Sequence, residues 1–120
     1  MYLRPIDLGL RAILEIAAVV GLLLGGWALA GGLIGLLLAL ALPVAAAFCW
    51  GTFRVPGDPG PAPVPIAGQA RLALELLLLG LGAVGWALSG WLIVGLLMGA
   101  LIVVHYVMTA PRVRWLQAQR

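Results

Sequence analysis

Residues 16–53 read IAAVVGLLLGGWALAGGLIGLLLALALPVAAAFCWGTF and contain no charged side chain. A helix that crosses a bilayer needs about 20 consecutive, mainly apolar residues. This run is long enough for two such helices, provided the chain turns near its middle. Ala30-Gly31-Gly32 supplies the break, because glycine tolerates backbone angles that other residues avoid. A second charge-free run covers residues 76–104 and breaks at Ser89-Gly90. The pattern predicts helices near 6–29, 33–50, 69–89 and 91–109, joined at the centre by a loop over 51–68. The expected architecture is all-α: one domain over residues 1–120, a transmembrane bundle of four helices.

Composition points the same way. The chain is 64% hydrophobic and 9% charged, with a mean hydropathy of +1.17. Soluble domains carry about 25% charged residues, and a chain of 120 residues cannot hide this much apolar surface from water. An ordinary cytosolic enzyme, a disordered chain and a disulfide scaffold are excluded. The single cysteine, Cys49, lies inside an apolar run and reads as a small buried hydrophobe.

Seven arginines, no lysine and four acids give a net charge of +3. The arginines are Arg4, Arg11, Arg54, Arg71, Arg112, Arg114 and Arg120. They lie in the N-terminal segment, the central loop, the C-terminal tail or the adjoining helix ends, and both tight turns are uncharged. Basic residues in short loops stay in the cytoplasm, so both termini and the central loop are expected inside. Trp27, Trp86 and Trp91 then fall at the outer interface, and Trp50 and Trp115 at the inner one. The arginines form no basic stripe with stacking aromatics, so no nucleic-acid partner is expected. The first 30 residues could also be read as a signal peptide, with Ala28-Leu29-Ala30 as its cleavage site. Against that, the second half repeats the same outer-end pattern where no cleavage could occur.

The halves resemble each other. Leu10-Arg11-Ala12-Ile13-Leu14-Glu15 matches Ala70-Arg71-Leu72-Ala73-Leu74-Glu75, and Gly26-Trp27-Ala28-Leu29-Ala30-Gly31 matches Gly85-Trp86-Ala87-Leu88-Ser89-Gly90. Each half is one helical hairpin that begins on the same side, so the repeat is parallel, with a pseudo-twofold axis along the membrane normal. Between the hairpins, five prolines within residues 55–65 forbid a helix. An extended, polyproline-like connector with turns at Pro-Gly is expected; a docking strip for a cytoplasmic partner is the other reading.

Arg11 and Glu15 are one helical turn apart on one face, as are Arg71 and Glu75. A charge at the bilayer centre costs about 2.5–3.5 kcal/mol on insertion scales. Pairing and a position near the inner end lower that cost. At helical spacing the first pair shares its face with Ala18, Leu22 and Gly25, and the second with Leu78, Gly82 and Gly85. Small residues let helices approach, so both pairs should face the bundle interior. Two readings follow. In one, the pairs cross-link helices 1 and 3 and are structural. In the other, Glu15 or Glu75 binds a proton, cation or cationic solute in a central cavity. His105 lies at similar depth and would either relay protons or donate one hydrogen bond. Tyr106 and Thr109 read as interface residues, and Pro43 should kink or loosen the second helix. The Gly21/Gly25 and Gly95/Gly99 pairs pack helices within one copy or between two. No metal-ligand spacing, phosphate-binding loop or nucleophile–base set appears, so no cofactor and no enzymatic activity are expected.

With these residues in view, the chain resembles the YrdB-like family of small bacterial membrane proteins, a family of unknown function. The resemblance rests on Leu10-Arg11-Ala12-Ile13-Leu14-Glu15, on Trp50-Gly51-Thr52-Phe53 followed by Pro56, and on Ala70-Arg71-Leu72-Ala73-Leu74-Glu75. It implies a four-helix, multi-pass protein and supplies no activity. A likeness to the small multidrug resistance exporters is superficial, since this chain has a strongly one-sided charge bias and a second Arg/Glu pair. The reading is a multi-pass protein of the bacterial cytoplasmic membrane. Its leading function is a small transporter or permeation protein built on Glu15, Glu75, Arg11, Arg71 and His105. The alternative is a non-catalytic accessory or assembly subunit. The expected partners are the lipid bilayer and either a second copy of the chain or a membrane-complex subunit.

Overall fold

The computed structural model describes residues 4–58 and 60–120. The fold is all-α, with helices α1 (Pro5–Ala30), α2 (Gly32–Thr52), α3 (Gly68–Leu88), α4 (Leu92–Met108) and α5 (Ala110–Ala118). A minimal parallel pair, β1 (Phe53–Arg54) and β2 (Val64–Pro65), tidies the central loop, with Phe53 opposite Val64 and Arg54 opposite Pro65. Helices α1, α2 and α3 are long and apolar enough to cross a membrane. Helix α4 passes the same test only together with α5, from which it is bent by 72°. Leu33, Ile34, Ile93 and Val107 are each 64–72% exposed to the surroundings. In water such a contiguous apolar exterior would drive aggregation; against lipid it costs nothing.

The turns follow from glycine. Gly31 and Gly32 link α1 to α2 at φ of 65° and 57°, and Gly90 ends the turn between α3 and α4 at φ of 94°. These left-handed angles strain any residue with a Cβ. Pro43 sits inside α2, which continues through it. The α4–α5 break has a similarly local cause. Pro111 lies in the first turn of α5, where its missing N–H leaves no donor gap, but it cannot continue the hydrogen-bond ladder of α4. Thr109 closes the end of α4, its N–H and its hydroxyl both donating to the carbonyl of His105 at 2.9 and 2.8 Å. The sequence implies a plain tail here; the chain instead forms a helix that folds back over the start of α3. There the Gly68 N–H donates to the Gln119 carbonyl at 2.9 Å.

Across the molecule the helices run in the order α2, α1, α3, α4, with α1 packed on both α2 and α3 while α2 and α3 scarcely touch. The α1–α3 seam is made by small residues. A Cβ on Gly25 would lie 2.7 Å from the Gly85 Cα, and one on Gly82 would lie 2.5 Å from the Ala18 Cα. Gly26 performs the same service against Leu38 and Ala39 of α2, and Gly95 against Ala83 of α3. The core beside the seam consists of Leu14, Ala18, Leu79, Met98 and Ile102. At the N-terminus of α1, where the first N–H groups lack helical partners, the Arg4 N–H donates to the Asp7 carboxylate at 3.0 Å.

One polar bond ties the seam in its apolar stretch: the Trp86 indole N–H donates to the Ala17 carbonyl at 2.9 Å. Trp86→Phe keeps most of the ring and removes the donor. Interhelical bonds of this kind contribute about 0.6–1.7 kcal/mol in membranes. A loss of that size is expected in unfolding titrations in mixed micelles.

Candidate functional site

At one end of the helices a buried polar cluster forms around Glu75, on the second turn of α3. Its carboxylate accepts five hydrogen bonds. Oε2 receives Arg71 Nε at 2.8 Å, Arg112 Nη2 at 2.9 Å and Arg11 Nη2 at 3.1 Å. Oε1 receives the Tyr106 hydroxyl at 2.7 Å and Arg112 Nη1 at 3.0 Å. Four helices therefore converge on one side chain: Arg11 from α1, Arg71 from α3 itself, Tyr106 from α4 and Arg112 from α5. A carboxylate offers about four lone-pair directions, so Glu75 is saturated, and it is wholly buried.

The arginines are fixed in turn. Arg71 is i to Glu75 at i+4, and its Nη1 donates to the carbonyls of Trp50 and Phe53 at 2.6 and 2.8 Å. These carbonyls end α2, where the helix leaves its last acceptors open and its dipole is negative. Arg71 thus ties the C-terminus of α2 to α3, where the helices otherwise stand apart. Arg112 also donates to Asp58 of the central loop, with Nη2 at 2.7 Å and Nε at 3.2 Å. The Trp50 ring lies beneath two guanidiniums, 4.8 Å from that of Arg71 and 5.3 Å from that of Arg11.

Of the residues singled out in the sequence, Arg11, Arg71 and Glu75 belong to this cluster. Glu15 does not enter it. It sits at the rim with its side chain 38% exposed, and among the described residues it is joined only through Arg11 Nε at 3.1 Å. His105 is buried on α4 and packs edge-on against Tyr106, with ring centroids 5.1 Å apart. Among the described residues its ring donates to neither glutamate, and its Nδ1 has no partner. Sequence reasoning missed Arg112 and Asp58 and gave Tyr106 no role in the cluster.

Two adjoining cavities flank the cluster. One, about 400 Å³, is lined by Arg11, Arg54 and Arg112 together with Glu15, Asp58 and Trp50. The other, about 210 Å³, lies between α1, α2 and α3 and is lined almost entirely by apolar side chains, Ala18, Leu22, Ala46 and Leu79 among them. Glu15 and Trp50 border both. Among the described residues no group of three or more His, Cys, Asp or Glu side chains could hold a metal ion.

Comparison with known proteins gives the lineage. Residues 9–103 match the family described as "Protein of unknown function (DUF2568)". The chain belongs to this family. It is also 34% identical over 120 residues to "Uncharacterized protein YrdB" of Bacillus subtilis (strain 168), covering 98% of each chain. The resemblance drawn from the Arg/Glu motifs is therefore a family relationship. No solved structure matches. The matched span of this DUF2568 member takes in Arg11, Trp50, Asp58, Arg71 and Glu75, and stops before Tyr106 and Arg112. Neither description assigns an activity.

Proposed function

We propose that this protein is a non-catalytic accessory protein of the bacterial cytoplasmic membrane, crossing it four times as two duplicated hairpins, with both termini and the central loop inside. The observation that carries the reading is the saturation of Glu75. A carboxylate that serves a transported proton or cation must exchange partners. Here five donors from four helices occupy it, and breaking such a buried cluster costs several kcal/mol. The Arg/Glu pairs are then structural: they hold the inner ends of the helices in register and clamp the loop to them through Asp58. The one-sided arginines support the orientation. The repeated Arg/Glu motif supports an origin by duplication of one hairpin.

A transporter would have to run on Glu15, whose partial exposure and place beside both cavities are the features that favour such a reading. Flux measurements decide between them. In liposomes containing the purified protein, proton and ethidium uptake should not exceed that of empty vesicles, and Glu15→Gln should change nothing. Uptake well above background that Glu15→Gln abolishes would establish transport and end the accessory reading.

A further inference from the structure

The two cavities share a border and differ in character, and that combination describes a particular kind of ligand. Around the polar cavity and the cluster beneath it, four guanidiniums (Arg11, Arg54, Arg71, Arg112) stand against three carboxylates (Glu15, Asp58, Glu75), an excess of one positive charge. Its volume of about 400 Å³ lies within the range of small-molecule sites, roughly 300–1,000 Å³. The apolar cavity runs from the same border along α1 and α2 towards the middle of the helices. It exists because Ala18, Ala46, Ala47 and Gly51 carry too little side chain to fill the gap left where α2 stands off α3. Its rim residues Val19 and Ala47 are exposed, so it opens sideways to the apolar surroundings.

The geometry points to a binding site for an anionic phospholipid, its phosphate headgroup beside Arg11 and Arg54 in the polar cavity and an acyl chain in the groove between α1, α2 and α3. A soluble anion would use the polar cavity and leave the groove empty. A neutral lipid would use the groove and gain nothing from the charge excess. Only an amphiphile with a negative head uses both, and the groove opens on the side where lipid lies. Glu15 stands at the junction and opposes such a headgroup, both by its charge and by competing for Arg11. The inference requires the bilayer setting but not the accessory role: transport activity would end the latter and leave this site intact.

Delipidated protein in detergent, titrated with dioleoyl phosphatidylglycerol, dioleoyl phosphatidylcholine or inorganic phosphate and read by native mass spectrometry, tests it. One arginine beside an anionic lipid surface contributes about fivefold in binding. Phosphatidylglycerol should bind at least about fivefold more tightly than phosphatidylcholine, and Arg54→Gln should remove about that factor for phosphatidylglycerol alone. Ala47→Leu, which fills the groove, should weaken both lipids. Glu15→Gln should strengthen phosphatidylglycerol binding, a gain that misfolding cannot produce. Equal binding of the two lipids would overturn the proposal, as would Glu15→Gln leaving phosphatidylglycerol affinity unchanged. Displacement of phosphatidylglycerol by millimolar inorganic phosphate would overturn it in favour of a soluble anion.

Discussion

Glu75→Gln should remove about 3–5 kcal/mol of stability, the usual cost of taking one partner from a buried ionic cluster. Proteins hold only about 5–15 kcal/mol in total, so the variant should accumulate poorly and unfold at much lower denaturant in mixed micelles. The reason is chemical as well as electrostatic. Glutamine keeps one acceptor oxygen and replaces the other with an NH₂ donor. Placed at Oε2, that NH₂ would face N–H groups of Arg71, Arg112 and Arg11; placed at Oε1, it would face Arg112 and the Tyr106 hydroxyl. Neither orientation satisfies the donors, and three guanidiniums lose their shared counter-charge. Glu15→Gln is the matched control. It removes a partly exposed acid paired with Arg11, and pairs of that kind contribute about 0–1 kcal/mol. Should the two variants unfold alike, Glu75 is not the lock described here, and the accessory reading loses its foundation.

The contrast between these glutamates marks the limit of what the sequence could tell. The four residues Arg11, Glu15, Arg71 and Glu75 were legible because helical spacing puts each pair on one face, and because charges inside apolar runs are conspicuous. The repeat suggested two equivalent pairs. They are not equivalent, because α5 and the central loop cover only one of them. Helix α5 packs on α3, and Arg112 and Asp58 close over Glu75 while Glu15 stays at the rim. Those contacts join residues far apart in sequence, where no periodicity carries a signal. Helix α5 itself is short, polar and carries a proline in its first turn, so it reads as tail. His105 lies at a depth similar to the glutamates, but depth does not fix azimuth. Successive residues on a helix differ by about 100°, and that rotation gives the bond to Glu75 to Tyr106 instead. By contrast, the turns at Gly31 and Gly90 and the small-residue faces of α1 and α3 depend only on local spacing, and both were read directly from the chain.

Those small-residue faces carry the second large effect. Gly85→Ala should destabilise the protein by at least the ~1–3 kcal/mol typical of overpacking. A Cβ on Gly85 would overlap the Gly21 carbonyl oxygen, and one on Gly21 would overlap that of Gly82. The obstructing atoms are backbone, so no rotamer change relieves the clash; α1 and α3 must separate. Gly80→Ala lies on the same helix with nothing within 4 Å of its added Cβ, so it should be neutral or gain up to about 1 kcal/mol from helix propensity. Equal stability of the two variants would mean that the seam is not packed as described. Separation would also be felt at the buried cluster. Arg11 reaches across this same seam to Glu75 at 3.1 Å, and moving α1 outward lengthens that bond first. The losses from Gly85→Ala and Arg11→Gln should therefore sum to more than the loss in the double variant, since each already removes part of what the other would. Strict additivity would show instead that the glycine contacts and the ionic cluster hold α1 independently.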